Sequence, residues 1–528
     1  MALRKQRSLG DADLLSLCSR WPLILLVAAV LALRLPLVYD QPYTDEGIYA
    51  ATAYFDFLAY TGALDAPGWW LPRDGSLGLY SLLSSWVFFL PLQPLTALRL
   101  VDAAVAAWAV CMVYRFMRCV LDSQASALAG ALLLALALNH PLFINAGFKN
   151  PIPLALGLLA LAAQALYLGG AGAAARAGLL AGLAVLFREP LLPMAAVLAL
   201  YALHRNGWRG LAQFSLTGTA AALVLLGLNT GARGEGGLTG LVEAYASFDA
   251  AILPLTERLQ VTVEQGRAAA QVLLPLLPLA LLGLLGPWLS ARFRQARTPE
   301  LYGLALLLTL CPLPEILYKA AFAYHFSQAA FGLSLFAAMG FRGLRRTAPG
   351  NPHQHKGAAL ASLGLAAALS IALALPYARQ YYWQAAAAAR FIPVMLHQNW
   401  DSPAVAQSLY LRAAAAVRKS SAADARMMTE FNSMVLFPLT LRQPTFAGAG
   451  IGSRVSSRMD KEQGAQERST LLATPPDVLV LIPRQPDGEG VHPFLRELST
   501  RYKQVLTLPA GLSPYGGWTT EIYIKKDS

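Results

Sequence analysis

Runs of roughly twenty mostly apolar residues, the length a helix needs to cross a bilayer, recur along this chain between short arginine-bearing loops. They fall at 21–39, 99–116, 125–143, 151–168, 177–187, 191–203, 211–229, 269–289, 301–317, 321–341 and 358–376, eleven in all, two of them short. Such a chain reads as a polytopic α-helical membrane protein. Hydrophobic residues make up 56% of its 528 residues and charged ones 14%, against about 25% charged in ordinary globular proteins. The 42 Lys and Arg outnumber the 30 Asp and Glu, and the arginines sit mostly at the ends of apolar runs, where they read as topology signals and not as a nucleic-acid surface. Cys18, Cys111, Cys119 and Cys311 lie in or beside apolar segments, so neither a disulfide framework nor a zinc cluster is expected.

A twelfth stretch, 77–92, is short and broken at Pro91 and Pro94. Charge parity decides how it is counted. Arg4, Lys5, Arg7 and Arg20 precede the first run and place the N-terminus in the cytoplasm. If 77–92 does not cross, the clusters Arg115/Arg118, Arg205/Arg209, Arg292/Arg294/Arg297 and Arg342/Arg345/Arg346/Lys356 all fall inside; if it crosses, all fall outside. It therefore reads as a juxtamembrane element at the outer face, with about eleven crossings and an outer C-terminus. The N-terminal block lacks a small-residue cleavage site and does not read as a removable signal.

Two units follow: a membrane module at 1–376, with outer loops at 40–98 and 230–268, and an extracytoplasmic domain at 377–528. The second loop contains an amphipathic stretch, 252–267. The tail opens with an expected helix at 380–391 and continues with strand-like runs at 426–428, 478–482, 504–508 and 521–524, a pattern that predicts a small α/β domain. There is no internal repeat, and the glycine-rich 231–240 lacks the strand and lysine of a phosphate loop.

The densest polar constellation is Tyr43-Thr44-Asp45-Glu46-Gly47-Ile48-Tyr49-Ala50. Adjacent carboxylates at the mouth of a membrane helix are costly unless solvated, paired or working. On a helix starting here, Asp45, Tyr49, Thr52 and Asp56 share a face, while Glu46 points about 100° away. Two readings stand: a catalytic carboxylate, or a helix N-terminal charge pair after Thr44.

The run Thr44 to Ala50, followed by Leu71-Pro72-Arg73-Asp74-Gly75, Leu79-Tyr80 and Ala97-Leu98-Arg99-Leu100, resembles the first outer loop of polyprenyl-phosphate-sugar glycosyltransferases of the GT-C class. The lipid A aminoarabinose transferases and protein O-mannosyltransferases are its relatives in that class. The resemblance covers about 60 residues at motif level, carried by the order of the motifs rather than by any one of them, and the rest of the chain matches in architecture. It implies that Asp45 acts as general base, removing a proton from an acceptor hydroxyl or amine that attacks the anomeric carbon of a lipid-linked sugar, with inversion. Glu46 belongs to the same catalytic pair, and Tyr49 shares the face of Asp45. Charge then grows on the departing polyprenyl phosphate, which calls for fixed cations. The outer-face candidates are Arg99, Lys149, Arg188, Lys319 and His325.

Each candidate has a structural alternative. Lys319 and His325 directly follow Tyr318 and Tyr324, where the family carries basic residues near the donor phosphate, but a lysine there also suits snorkelling. Arg188 adjoins Glu189 and could pair with it, as Glu315 could with Lys319 four residues on. Lys149 and Asn150 stand where many relatives have an aspartate, a departure that counts against a second catalytic or metal-holding carboxylate and favours a metal-independent mechanism; no cofactor is required, a divalent metal being the less favoured alternative. His204, His353 and His355 read as solvated. His140 beside Pro141 reads as structural, and Trp69-Trp70 suits an interfacial belt.

The expected function is an integral-membrane hexosyl- or pentosyltransferase. It would move a monosaccharide from a polyprenyl-phosphate donor to a lipid, a polysaccharide or a protein such as a pilin, in a bacterial inner membrane. A ligase or polymerase using a diphosphate-linked donor usually carries a large late loop, whereas 319–325 is short. A transporter would show midplane charges and inverted repeats, whereas most ionisable residues here sit at run ends.

Overall fold

The structure, a computed structural model, describes residues 20–42, 44–63, 79–144, 151–188, 191–233, 255–296, 299–313, 323–345, 352–429, 435–444, 468–469, 471–481, 493–508 and 520–526. Within these, the side chains of residues 44, 45, 48, 225–233, 255, 258, 289, 292, 296, 324 and 352–360 fall outside the description. The helices of the apolar portion are α1 (Arg20–Arg34), α2 (Thr44–Tyr60), α3 (Leu79–Ser84), α4 (Pro94–Leu121), α5 (Gln124–Leu138), α6 (Pro141–Ile144), α7 (Ile152–Leu168), α8 (Ala173–Phe187), α9 (Leu192–Arg233), α10 (Leu255–Leu273), α11 (Leu277–Leu289), α12 (Ala291–Ala296), α13 (Pro299–Leu310), α14 (Ser327–Arg345) and α15 (Pro352–Ala389).

Four described stretches are long and apolar enough to cross a membrane: Arg20–Leu37, Pro94–Leu121, Leu259–Trp288 and Ala361–Ala389. Large apolar side chains face outward from them and from α9, with Ile24 67%, Leu216 71% and Leu365 71% exposed. That arrangement is costly in water and natural in hydrocarbon, where only backbone polar groups must be satisfied internally.

Helix α4 is the central one. Gln93 caps it by accepting the Thr96 N–H at 3.0 Å, and Pro94 opens its first turn, where an N–H is dispensable. It packs against α1, α5 and α7, while α14 packs against α5, α11 and α13. Small residues close these contacts, as is usual between helices in lipid. A Cβ on Gly340 of α14 would lie 2.1 Å from the Leu279 carbonyl oxygen of α11.

Expected segments take a different form in three places. The runs at 191–203 and 211–229 are the halves of α9, broken where Gly207 adopts φ 64° and ψ −164°, a conformation open to glycine alone. The run at 358–376 and the tail helix at 380–391 are one helix, α15, which continues through Pro376. A proline removes one helical hydrogen bond, and the alanine run 385–389 restores strong helix propensity beyond it. The described part of the amphipathic stretch at 252–267, from Leu255 on, lies in α10, which runs through a 3-10 turn, Leu274–Leu276, straight into α11. The described part of the 77–92 stretch, from Leu79 on, forms α3 and a 3-10 turn, Ser85–Phe89, well short of the roughly 20 residues a crossing needs.

Beyond α15 the tail carries α16 (Ile392–Met395), α17 (Leu409–Ser420), α18 (Leu436–Thr440) and α19 (Pro493–Ser499), with strands β1 (Arg426–Thr429), β2 (Gln443–Pro444), β3 (Val478–Leu481), β4 (Tyr502–Leu508) and β5 (Thr520–Lys525). The sheet order is β2-β1-β3-β5-β4, parallel among the first three and antiparallel at β3/β5 and β5/β4. Alternation along β3 sends Val478 and Val480 to the core shared with the helices, and Leu479 and Leu481 to a second cluster with Leu495, Leu498 and Tyr523. In that second cluster Tyr502 donates to the Pro476 carbonyl at 2.7 Å, and burial pushes its phenol up to about 12.

Candidate functional site

Arg99 and Asp102 stand three residues apart on α4 and share a face. The Arg99 guanidinium has five N–H groups, and all five are engaged. Nε and Nη2 donate to the two carboxylate oxygens of Glu46 at 2.7 and 2.6 Å. The remaining three reach the carbonyls of Val38, Asp40 and Gln41 at 3.0, 2.6 and 3.0 Å. Glu46 is fully buried. Two residues singled out in the sequence thus meet, and what they do together is fix the turn that delivers the chain into α2. Asp45 occupies the first turn of that helix beside Glu46.

One turn along α4, Asp102 pairs with Arg34 of α1 and accepts from the Tyr80 hydroxyl of α3 at 2.7 Å. Arg34 also donates through Nε to Asn139 Oδ1 at 2.6 Å, and Asn139 bonds back to the Ala135 carbonyl of α5. This buried network ties α1, α3, α4 and the end of α5 to one another. Neither Arg34 nor Asp102 was a candidate. Their signal was an ionisable residue inside or at the edge of an apolar run.

His140 follows Asn139. Its Nδ1 accepts the Leu142 N–H at 3.1 Å, which puts the proton of the neutral ring on Nε2, and the ring meets Tyr377 of α15 edge-on at 4.6 Å. The adjoining α6 packs against the 3-10 turn Ala323–Phe326. There His325 Nε2 lies 3.3 Å from Arg188 Nη2, both side chains buried. A guanidinium only donates, so Nε2 accepts and the His325 proton sits on Nδ1. These two candidates, 137 positions apart, come together. Helix α10 joins them: Gln265 Oε1 accepts the Ala323 N–H at 3.1 Å, and the Phe326 ring packs over Gly266.

The far side of α2 rests on the tail. A Cβ on Gly47 would lie 2.6 Å from both the backbone nitrogen and the Cβ of Val435, so only glycine permits this approach. Tyr54 donates to the Leu441 carbonyl at 2.9 Å, and Phe55 meets Phe437 of α18 edge-on at 4.9 Å. Burial holds the Tyr54 phenol well above its usual range, with Arg442 pulling it partly back. Tyr49 and Asp56 are also buried in α2. At the start of α4, Thr96 donates to the Met395 carbonyl at 2.5 Å, a second tie to the tail.

The arrangement therefore forms two buried pairs, Glu46 with Arg99 and Arg188 with His325, and α3 packs against both α2 and α8. Lys149, Lys319, Glu315, Glu189 and the Trp69-Trp70 pair lie outside the described residues, as does the Asp45 side chain. Among the described residues no three His, Cys, Asp or Glu side chains are grouped to hold a metal. An apolar groove of about 510 Å³ runs along the first turns of α4, lined by Trp86, Leu90, Leu100, Val101, Trp108 and Leu154.

Comparison with known proteins gives the fold. The chain is similar to the crystal structure of ArnT from Cupriavidus metallidurans bound to undecaprenyl phosphate, at 13% identity and a TM-score of 0.55, over 96% of this chain and 98% of that one. At such identity the likeness is one of fold, and it spans both the helical portion and the tail. No family model matches the sequence. No curated protein matches it either.

Proposed function

We propose that this protein is an integral-membrane glycosyltransferase that moves a monosaccharide from a polyprenyl-phosphate donor to an acceptor at the outer face of a bacterial inner membrane, with the N-terminus cytoplasmic and the tail domain outside. The observation that carries this reading is the buried Arg188 and His325 pair, in a fold shared with a protein crystallised with undecaprenyl phosphate. The acceptor class is a lipid, a polysaccharide or a surface protein.

In this reading the Asp45 carboxylate takes the proton of the acceptor hydroxyl or amine as that group attacks the anomeric carbon. The bond from that carbon to the phosphate oxygen breaks on the opposite side, and the electron pair leaves on the polyprenyl phosphate. Arg188, as a fixed cation, and His325, through Nδ1–H, face the charge that develops there; Lys319 and Lys149 are further candidates for the same work. Preorganised donors of this kind gain their effect because they need no reorganisation during reaction. Glu46 and Arg99 serve geometry, holding the turn before α2 so that Asp45 is presented from a fixed helix start. The apolar groove beside α4 suits an isoprenoid chain, and α10, which contacts the His325 turn, suits a role in enclosing the donor.

The test is transfer by purified protein from a panel of polyprenyl-phosphate sugars. Arg188→Ala is expected to lower kcat/KM by about 10²–10³-fold. An Arg188→Ala enzyme as active as wild type would remove the pair from the donor site, and transfer from diphosphate-linked donors alone would assign the protein to the ligase and polymerase class.

A further inference from the structure

Directly after His325, the first turn of α14 reads Ser327-Gln328-Ala329-Ala330, all buried. Gln328 is 0% exposed, yet among the described residues neither its amide nitrogen nor its amide oxygen has a hydrogen-bond partner, and the hydroxyl of Ser327, 1% exposed, has none. Buried polar groups are normally satisfied, and an amide with both ends idle is a costly thing to keep in an apolar bundle. The same bundle shows the alternative. Ser334, two turns on, donates back to the Phe331 carbonyl at 2.7 Å, and Thr309 donates to the Ala305 carbonyl at 2.7 Å.

Other buried side chains of the described residues carry an idle atom too, among them Ser81, Gln93 and Tyr377, but Gln328 is idle at both ends of its amide. Gln328 follows His325 by three residues, one turn, which places it on the same face of the continuous 3-10 and α-helical segment. That face is the one on which His325 meets Arg188. Arg188, His325 and the Gln328 amide thus share one face, with Ser327 on the adjoining turn, and among the described residues the Ser327 and Gln328 donors have no acceptor.

We propose that Ser327 and Gln328 are ligands for the phosphate of the lipid donor. Ser327 Oγ–H and Gln328 Nε2–H donate to its non-bridging oxygens, on the membrane side of the Arg188 and His325 pair. The proposal rests on the reading of this protein as a polyprenyl-phosphate glycosyltransferase. It adds two neutral contacts that fix the orientation of the phosphate as well as its charge.

The experiment measures binding to the full-length protein in nanodiscs, with undecaprenyl phosphate, undecaprenol and inorganic phosphate as probes. Wild type is compared with Gln328→Leu and Ser327→Ala, and thermal unfolding is followed in parallel. Gln328→Leu is expected to weaken undecaprenyl phosphate at least tenfold and to leave undecaprenol unchanged, with a Tm equal to or above wild type because an unpaired amide has been removed. Ser327→Ala is expected to weaken the phosphate lipid three- to tenfold. Inorganic phosphate that competes with the lipid in wild type, and less well in Gln328→Leu, would place the contact on the phosphate itself rather than on the chain. Unchanged affinity in both variants would overturn the proposal, the side chains then holding structural water only. Equal loss for undecaprenol and undecaprenyl phosphate together with a lowered Tm would overturn it too, as a packing effect. Wild-type protein that binds no undecaprenyl phosphate fails the functional reading itself, an outcome distinct from intact wild-type binding with unaffected variants.

Discussion

Arg99 is the most constrained side chain at the site, since every one of its N–H groups has a protein acceptor and its carboxylate partner is fully buried. Removing one member of such a pair strands the other. Arg99→Ala is expected to cost about 3–5 kcal/mol and to lower activity with stability; Glu46→Gln, which keeps one acceptor but sets an NH2 against the second guanidinium N–H and leaves the Arg99 charge unpaired, is expected to lower Tm and activity together, by less. Comparing thermal unfolding with kcat for the two variants checks this; an inactive Glu46→Gln protein of wild-type stability would make Glu46 a reacting group. As positions, Glu46 was legible in the sequence from the carboxylate pair at a helix mouth, and Arg99, Arg188 and His325 from the fixed cations that the family resemblance calls for. Which of them meet was not. Arg188 and His325 are brought together by the packing of helices far apart in the chain, as are Arg34 and Asp102, and no spacing rule reaches across 137 or 68 residues.

Helix α2 shows the same division between what is local and what is not. Its start is written in the sequence by Thr44, the acidic pair and Gly47, but the reason for Gly47 is tertiary: Val435 of the tail comes up against it. Gly47→Ala raises helix propensity by about 1 kcal/mol and at the same time inserts a methyl against the Val435 backbone, an overpacking cost of about 1–3 kcal/mol. The expected result is a loosened contact between α2 and α18. It would appear as lower activity with faster proteolysis of the tail, and unchanged values for both would mean that the tail does not position α2. The strands β1, β3, β4 and β5 were readable from their β-branched and apolar runs. Strand β2 was not, because two residues leave no alternation to count. The continuation of α15 through Pro376 escaped for a related reason: a proline signals an ending, and only packing tells whether the ending is taken.

At the scale of the molecule, composition and the length of the apolar runs were sufficient for a helical membrane protein with a small mixed α/β tail, and the whole-chain likeness to ArnT agrees with that architecture. Sidedness rests on arginine placement and on the count of crossings. A reporter active only when exported, fused after Ser528, is expected to be active, and a reporter active only in the cytoplasm is expected to be silent. The reverse pattern would place the tail and the α2 contact on the cytoplasmic side, where a lipid-linked donor of the outer leaflet is out of reach. The most direct measurement is transfer by the purified protein from a panel of polyprenyl-phosphate sugars, wild type against Asp45→Asn, with and without a chelator. One donor used by wild type, a fall of about 10²–10⁴-fold in the variant with donor binding intact, and no effect of the chelator are the expected results. Full activity in Asp45→Asn, or no transfer from any such donor by correctly folded wild-type protein, would contradict a base-assisted transfer from polyprenyl phosphate at this site.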